Sequence, residues 1–318
     1  MKKILLLLFL TTTITFSQKL EKVDEIIYSY KSISSAEELA KKIDSDFKTN
    51  LEKIRAIYTW LALNIEYHKE TTTLLEAPKY YIYSNEYDLA YRLKRVNNEL
   101  VSKTITDKKA VCTGYALTFK KLCNLLKIEN ELIKGYVKTE TYEINYIPKN
   151  KNHVWNAVKI DGTWLLVDVT YGAGYSINNV WHSKPNYFYF NVDKESLRLT
   201  HYPSDSKWMQ FFRRKPLNQF CNQPIYNYAF FNNGAELITP KKGEIEVFEN
   251  KITIKVKNIN FKTGILYSFE KSIGAKKPQI RHLDSITSIT IKIPPKKKKL
   301  YIYFNGESAL AYKIKREK

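Results

Sequence analysis

The stretch HVWNAVKIDGTWLLVDVTY, residues 153–171, has the pattern of a β-hairpin. Apolar residues recur on both sides of the pair Asp161-Gly162, and an Asp-Gly pair between two such runs is a strong signal for a two-residue turn. With that turn, Ile160 faces Thr163, and the pairing of the remaining residues follows from this contact. The sequence therefore predicts two antiparallel strands of known register.

The predicted register brings two titratable residues together. His153 is expected to face Thr170, and Asp168 stands two positions before Thr170, so His153 and Asp168 share one face as diagonal neighbours. Diagonal Cβ atoms lie roughly 7–8 Å apart, within reach of an imidazole meeting a carboxylate. Asp168 also stands in an apolar run, where a carboxylate without a partner is costly. We therefore predict a His153–Asp168 pair, which is either catalytic or purely structural.

A third candidate group is Cys112. Apolar residues recur with helical spacing over 111–126, which predicts a buried helix with Cys112 at its N-terminal end. The helix dipole and the first backbone N–H groups favour a thiolate there, and the same N–H groups could hold an oxyanion. Gly114 is expected to leave room for a substrate backbone. The alternative is that Cys112 is an ordinary small buried residue.

The chain has three cysteines, so at most one disulfide can form. Cys123 lies further along the same predicted helix, about 16 Å from Cys112 at 1.5 Å rise per residue. That separation excludes a disulfide between them, and Cys123 is predicted to belong to the core. Cys221 has no predicted place. An odd number of cysteines in an exported chain directs attention to a reactive thiol.

The order of the predicted elements favours an α+β fold. A capping-box pattern begins one helix at 35–38, and helical spacing over 50–65 predicts a second, with Thr49 or Asn50 as its N-cap. Helical spacing returns at 85–101, before the helix that begins at Cys112. Strand patterns then follow, so helices precede an antiparallel sheet.

Several blocks of sequence together resemble the transglutaminase-like superfamily, in particular bacterial relatives of the kyphoscoliosis-peptidase type. CTGYA begins at Cys112, HVWNAV begins at His153, and WLLVDVTYGAG contains Asp168. The segment IRAIYTWLALNIEY, residues 54–67, is similar to the leading helix of that group. The resemblance covers residues 35–175, or as far as 215, and the correct order of the blocks is more specific than any block alone.

The resemblance implies that Cys112 is the nucleophile, His153 the general base and acid, and Asp168 the residue that orients the imidazole. It also implies a papain-like core, in which the cysteine helix packs on the sheet. Thr113 stands where these relatives often have Glu, and Tyr171 where they often have Trp. Because neither belongs to the triad, these departures bear on the substrate rather than on the chemistry. No cofactor is implied, and the other histidines lack the spacing of a metal site.

The C-terminal part has a different pattern from the rest. Residues 175–223 are rich in aromatic residues and are predicted to wrap around the first domain. From residue 224, short strand patterns separated by turn residues have the spacing of a β-sandwich. We therefore predict a signal peptide at 1–17, a transglutaminase-like domain at 18–223 and an Ig-like β-sandwich at 224–318.

The first residues predict export. Met1-Lys2-Lys3 precedes an apolar run that is too short to span a bilayer, and a small residue, Ser17, stands before the expected cut at Gln18. The alternative is an uncleaved membrane anchor. We expect a secreted or periplasmic protein that is not an integral membrane protein.

The formal net charge is +20 over 318 residues. A basic surface suits anionic lipid or an acidic polymer of the envelope, whereas export argues against nucleic acid as the natural partner. The lysines are spread along the chain, with one dense run at Lys296–Lys299. The preferred interpretation is a solvated basic surface.

Two functions remain open from the sequence. In the first, the Cys112 thiolate attacks an amide of a protein or peptide and forms a thioester, and hydrolysis is favoured over transamidation because water is abundant. In the second, the chain is a catalytically silent binding or scaffolding protein that acts through its basic C-terminal β domain.

Overall fold

The computed structural model describes residues 18–68, 83–177, 180–213, 215–247 and 250–316. The chain divides into two compact units, one of residues 1–133 and 153–192 and one of residues 134–152 and 193–318. A compact unit need not coincide with a domain that folds alone, so the predicted domain ranges stay a prediction. The predicted signal peptide and residues 69–82 lie outside the described residues.

Helices come first in the first unit, and a hairpin follows. The helices are α1 (18–28), α2 (Ala36–Asp46), α3 (Asn50–Asn64), α4 (Glu86–Asp107), α5 (Cys112–Leu125) and α6 (Val169–Ala173). The strands are β1 (Glu66–Tyr67), β2 (Lys109–Ala110), β3 (Asn130–Val137, which continues into the second unit), β4 (His153–Ile160), β5 (Thr163–Val167), β6 (Gly174–Ile177) and β7 (Val180–Ser183). Within the described residues, no helix combines the length and the hydropathy needed to cross a bilayer.

Capping residues fix where the first helices begin. The Ser35 hydroxyl accepts the N–H of Glu38 at 3.1 Å, which confirms the predicted N-cap of α2. For α3 the structure selects Thr49 rather than Asn50. Thr49 accepts the N–H of Glu52, and the Glu52 carboxylate accepts the N–H of Thr49, so the capping box is complete.

The β4–β5 hairpin has the predicted turn. Ile160 faces Thr163, and the ladder continues in the predicted register. Asp161 has a φ of 49° and Gly162 a φ of 79°, the left-handed conformations that a two-residue turn of this type requires.

The second strand of the hairpin is shorter than predicted. β5 ends at Val167, and Thr170 lies in α6. The expected pairing of His153 with Thr170 is therefore wrong. The strand stops because Asp168 caps α6, which turns the chain out of the ladder.

Helix α5 is the buried helix predicted over 111–126. A Cβ at Gly114 would lie 2.7 Å from both the Ala110 Cβ and the Thr104 Oγ1. The expectation that Gly114 leaves room for a substrate is wrong, because its missing side chain instead allows α5 to approach α4 closely.

The second unit is rich in strands. Its helices are α7 (Lys194–Thr200), α8 (Ser206–Phe211), α9 (Leu217–Cys221) and α10 (Tyr228–Asn232). Its further strands are β8 (His201–Pro203), β9 (Ile225–Tyr226), β10 (Glu236–Thr239), β11 (Glu244–Glu246), β12 (Lys251–Lys257), β13 (Ile265–Phe269), β14 (Gln279–Leu283), β15 (Ile286–Lys292), β16 (Lys299–Phe304) and β17 (Glu307–Lys315).

Two sheets make up most of the C-terminal region. One has the strand order β10-β12-β15-β14 and the other β11-β17-β16-β13. Buried residues of both, such as Ile254 and Ile289 from the first and Ile302 and Leu310 from the second, form one hydrophobic core. The predicted α+β fold with a C-terminal β-sandwich is confirmed, and its Ig-like character stays a prediction. The sequence did not predict β9, β10 and β14.

Candidate active site

His153 and Asp168 are brought together by the hairpin. His153 begins β4, and Asp168 directly follows β5. The Nε2 atom of His153 lies 2.6 Å from the Oδ2 atom of Asp168, and the two residues are 7% and 1% exposed. The predicted pair is present, although it forms one residue beyond the ladder rather than within it.

Asp168 has a structural task besides its contact with His153. Its Oδ1 atom accepts the N–H of Tyr171 at 3.0 Å, which makes Asp168 the N-cap of α6. Its own N–H donates to the Tyr189 carbonyl at 3.0 Å, and its carbonyl accepts the N–H of Gly172 at 3.1 Å. Three local hydrogen bonds thus hold the carboxylate so that its second oxygen faces His153.

Cys112 lies against the same strand. It is the first residue of α5 and is 4% exposed. Cys112 and Ala116 form an apolar cluster with Val154, the neighbour of His153. The Asn156 amide donates to the Ala116 carbonyl at 3.1 Å, which fastens α5 to β4. This packing places the Cys112 side chain in hydrogen-bonding contact with His153.

The charge on His153 follows from its surroundings. Burial of the ring opposes protonation, but the Asp168 carboxylate and the Cys112 side chain outweigh burial and raise the pKa of His153 from 6.5 to about 10. The imidazole therefore holds its proton at neutral pH. A protonated ring between a carboxylate and a thiol is placed to act as a proton donor.

The other two cysteines lie in different surroundings. All three cysteines are free thiols. Cys123 is fully buried in the core, as predicted, and burial raises its pKa well above the ordinary value. Cys221 packs with Tyr202 and Phe220 in the second unit, and burial raises its pKa as well.

Aromatic rings border the imidazole. The Tyr171 ring meets His153 edge-on, with a centroid separation of 5.2 Å, and the Trp155 ring is stacked at 6.0 Å. Tyr171 is one of the two positions at which the sequence departs from the pattern of the family it resembles. The departure therefore lies in contact with His153.

Two residues that support the site were missed in the sequence. Asn156 lies on the same face of β4 as Val154 and Val158, which alternate with it along the strand. A polar residue on this otherwise apolar face could have indicated its supporting role. Gly172 is the second such residue, because a Cβ there would lie 1.6 Å from the Tyr58 hydroxyl oxygen. That hydroxyl donates to the Asn186 carbonyl, so α3 supports the turn that follows Asp168.

Comparisons with known proteins show which family the sequence resembles. The family model of the transglutaminase-like superfamily matches residues 37–169. Kyphoscoliosis peptidase of Homo sapiens is 26% identical over 245 residues, which cover 76% of this chain and 34% of that protein. Lim and transglutaminase domain protein ltd-1 of Caenorhabditis elegans is 24% identical over 262 residues, which cover 74% of this chain and 33% of that protein. A crystal structure of a TGase aligns with a TM-score of 0.29 and 16% identity over 56% of this chain and 37% of that chain, too low to support an argument.

The family match spans helices α3 to α5, most of α2, the hairpin and all three candidate residues, so the chain carries a transglutaminase-like domain. More particularly, the chain is homologous to kyphoscoliosis peptidase and related transglutaminase-like proteins. It spans about a third of the length of these curated relatives.

Proposed function

We propose that this protein is an exported, cysteine-dependent acyl-transfer enzyme that hydrolyses an amide of a protein or peptide, with Cys112, His153 and Asp168 as its triad. The observation that carries the proposal is the placement of His153 between Asp168 and Cys112, with a pKa of about 10. A protonated imidazole at that place can give its proton to the leaving group, beside a thiol positioned as the nucleophile. A homologous protein bears the name of a peptidase, which agrees with the proposal.

Acylation of the thiol is the first half of the proposed reaction. The Cys112 thiolate attacks the amide carbonyl carbon, a C–S bond forms, and the carbonyl electron pair moves to oxygen. Backbone N–H groups at the start of α5 would hold this oxyanion, since Val111 provides no side-chain cap for them. The C–N bond then breaks, and His153 gives its proton to the leaving nitrogen. The products are an amine and a thioester on Cys112.

Hydrolysis of the thioester completes the cycle. Neutral His153 takes a proton from water, whose oxygen attacks the thioester carbonyl, and the C–S bond breaks to release a carboxylic acid and the thiolate. Because Nε2 faces Asp168, Nδ1 is the ring atom assigned to proton transfer at Cys112. An amine in place of water would give transamidation, and hydrolysis is favoured because water is abundant.

The test of the proposal is capture of the thioester. The protein is mixed with a defined peptide library, and its intact mass is followed by mass spectrometry together with peptide cleavage. We expect an acyl adduct on Cys112 and loss of turnover in Cys112→Ala, whereas the matched control Cys123→Ala keeps its turnover. A fully active Cys112→Ala protein would overturn the proposal. Addition of a labelled primary amine separates hydrolysis from transamidation.

A second candidate function is a catalytically silent scaffold. The observation that favours it is burial, because a thiol on a residue that is 4% exposed is poorly accessible to a macromolecular substrate. The two candidates differ in the rate at which iodoacetamide alkylates each cysteine. An enzyme requires faster alkylation of Cys112 than of Cys123 at neutral pH, and loss of that advantage in His153→Gln. Equal rates favour the scaffold.

Export is a separate part of the proposal and rests on the pattern of residues 1–17. N-terminal sequencing of the protein recovered from an exporting bacterium tests it. We expect the mature chain to begin at Gln18, and an unprocessed chain recovered from the cytoplasm contradicts export.

A further inference from the structure

The outer face of one C-terminal sheet collects positive charge. Buried and exposed side chains alternate along β12, and its exposed residues include three lysines. Strand pairing places a lysine of β15 directly opposite one of them, and an arginine of β14 on the same side of the sheet. The cations of this surface, which we call the basic face, are Lys251, Lys255, Lys257, Arg281 and Lys292.

Few acidic groups balance the basic face. Among the described residues that pair into this side of the sheet, Glu236, opposite Lys257, is the acidic residue. None of the five cations forms an ion pair with a described residue. The face therefore presents several charges that the described part of the fold leaves to solvent or to a partner.

One pair of cations is placed unfavourably for stability. Lys251 and Lys292 are directly opposed across β12 and β15. Directly opposed Cβ atoms lie about 4.5–5.5 Å apart, and like charges in such positions destabilise a sheet. A bound anion would reverse this cost by bridging the two ammonium groups.

The dense lysine run that stands out in the sequence is differently placed. The Glu270 carboxylate accepts the N–H groups of Lys298 and Lys299 at 2.7 and 2.8 Å. The Lys297 ammonium donates to the Glu270 carbonyl at 2.9 Å. This run is thus folded around an acidic residue, whereas the separated lysines of β12 and β15 converge on one open face.

The spacing and polarity of the basic face identify the class of its ligand. Lys251 and Lys257 stand six residues apart in one strand, which spans about 20 Å at 3.4 Å per residue. The centre of the face is polar, and the hydroxyls of Thr253 and Thr290 lie 3.0 Å apart. Apolar residues lie at one end of the face, where Leu283 and Ile286 pair beside Lys257. A lipid surface would favour large apolar side chains beside the cations along the whole face. A row of cations interleaved with hydroxyls instead suits a linear chain that carries both anionic groups and hydroxyls.

We propose that the basic face binds a linear polyanionic carbohydrate. Its carboxylate or sulfate groups pair with the lysines of β12 and β15, and its hydroxyls contact Thr253 and Thr290. This site lies within the second unit and is independent of the proposed reaction at Cys112. Its chemistry is charge complementarity along a strand, so binding weakens as salt screens the charges.

Binding of the full-length chain to immobilised polysaccharides tests the proposal. The probes are polygalacturonate and dextran sulfate, with neutral dextran as the uncharged reference. We expect both polyanions to bind, and the triple variant Lys251→Gln/Lys255→Gln/Lys292→Gln to lose about tenfold or more in affinity at low salt. The matched control Lys241→Gln/Lys242→Gln/Lys296→Gln removes the same charge from exposed positions outside the face, and it should stay within about twofold of the parent.

Three outcomes would overturn the proposal. They are equal loss of affinity in the two triple variants, binding to neutral dextran as strong as to the polyanions, and binding to anionic phospholipid vesicles without binding to either polyanion. Thermal unfolding of both variants shows whether a loss of affinity is caused by a loss of folding. Lys251→Gln and Lys292→Gln relieve a like-charge pair and should not lower the melting temperature.

Discussion

The position of Gly172 is fixed by Tyr58, since a Cβ at residue 172 would lie 1.6 Å from the Tyr58 hydroxyl oxygen. The same hydroxyl donates to the Asn186 carbonyl, and the N–H of Gly172 donates to the Asp168 carbonyl. The turn that presents Asp168 to His153 is therefore packed directly on α3.

The substitution Gly172→Ala should destabilise the protein by about 1–3 kcal/mol, because the new methyl group overlaps Tyr58. Tyr58→Phe should cost about 1–3 kcal/mol, since it leaves the Asn186 carbonyl without this donor. Urea unfolding of the two single variants and the double variant measures the coupling. The loss of unfolding free energy in the double variant should be smaller than the sum of the losses in the two single variants. Strict additivity would show that the residues do not interact.

The two tasks of Asp168 can be separated by substitution. Asp168→Asn keeps a good N-cap but removes the charge that faces His153, whereas Asp168→Ala removes both. Turnover should fall by about a hundredfold or more in each variant. The unfolding free energy should fall by about 1 kcal/mol more in Asp168→Ala than in Asp168→Asn. Normal turnover in Asp168→Asn would contradict the role assigned to the carboxylate.

Stability should depend on pH through His153. The folded-state pKa of about 10 lies above the ordinary value of 6.5, so the protonated ring stabilises the fold. This contribution is fully present below about pH 6.5 and is lost as the pH rises through about 10. Urea unfolding of the parent and of His153→Gln between pH 6 and 10 isolates the effect, because the other groups titrate in both proteins. If the difference in unfolding free energy between the two proteins stays constant over this pH range, the raised pKa of His153 is contradicted.

Loss of one partner should lower the unfolding free energy more for a buried ion pair than for an exposed one. The Arg55 guanidinium donates to both Asp24 carboxylate oxygens, at 2.9 and 2.6 Å, and lies 3.5 Å from the Tyr187 ring centroid. Asp24→Asn should cost about 3–5 kcal/mol, since it leaves the buried Arg55 charge without its counterion. The control is Glu99→Gln, which removes a partner of the exposed pair with Lys103 and should cost less than about 1 kcal/mol. Thermal and urea unfolding measure both, and equal costs would refute the comparison.

Much of the site could be predicted because its geometry is set by local chemistry. The Asp161-Gly162 turn defines the register of the hairpin, and helical spacing places Cys112 at a helix start. The end of β5 could not be predicted. Asp168 could either continue the strand or serve as the N-cap of a helix, and packing of the following turn on Tyr58 favours the N-cap. The close approach at Gly114 likewise depends on Thr104, which belongs to another helix.

The basic face could not be predicted from the sequence either, because it depends on contacts between distant residues. Lys251 and Lys292 are distant in sequence and become neighbours only when β12 pairs with β15. The strand β14 lacks the alternation that predicts strands, because all five of its residues are exposed. Pairing of strands, rather than density of lysines, determines where charge accumulates.

The double use of Asp168 has an evolutionary consequence. A descendant that abandons the reaction still needs an N-cap for α6, so selection for folding alone retains an aspartate or a residue of similar capping ability at this position. Cys112 has no capping task, and its packing against Val154 could be met by another small apolar residue if the proposed reaction were lost. Under the proposed function, Cys112 is therefore a more informative sign of the reaction than Asp168, because folding also requires a capping residue at position 168.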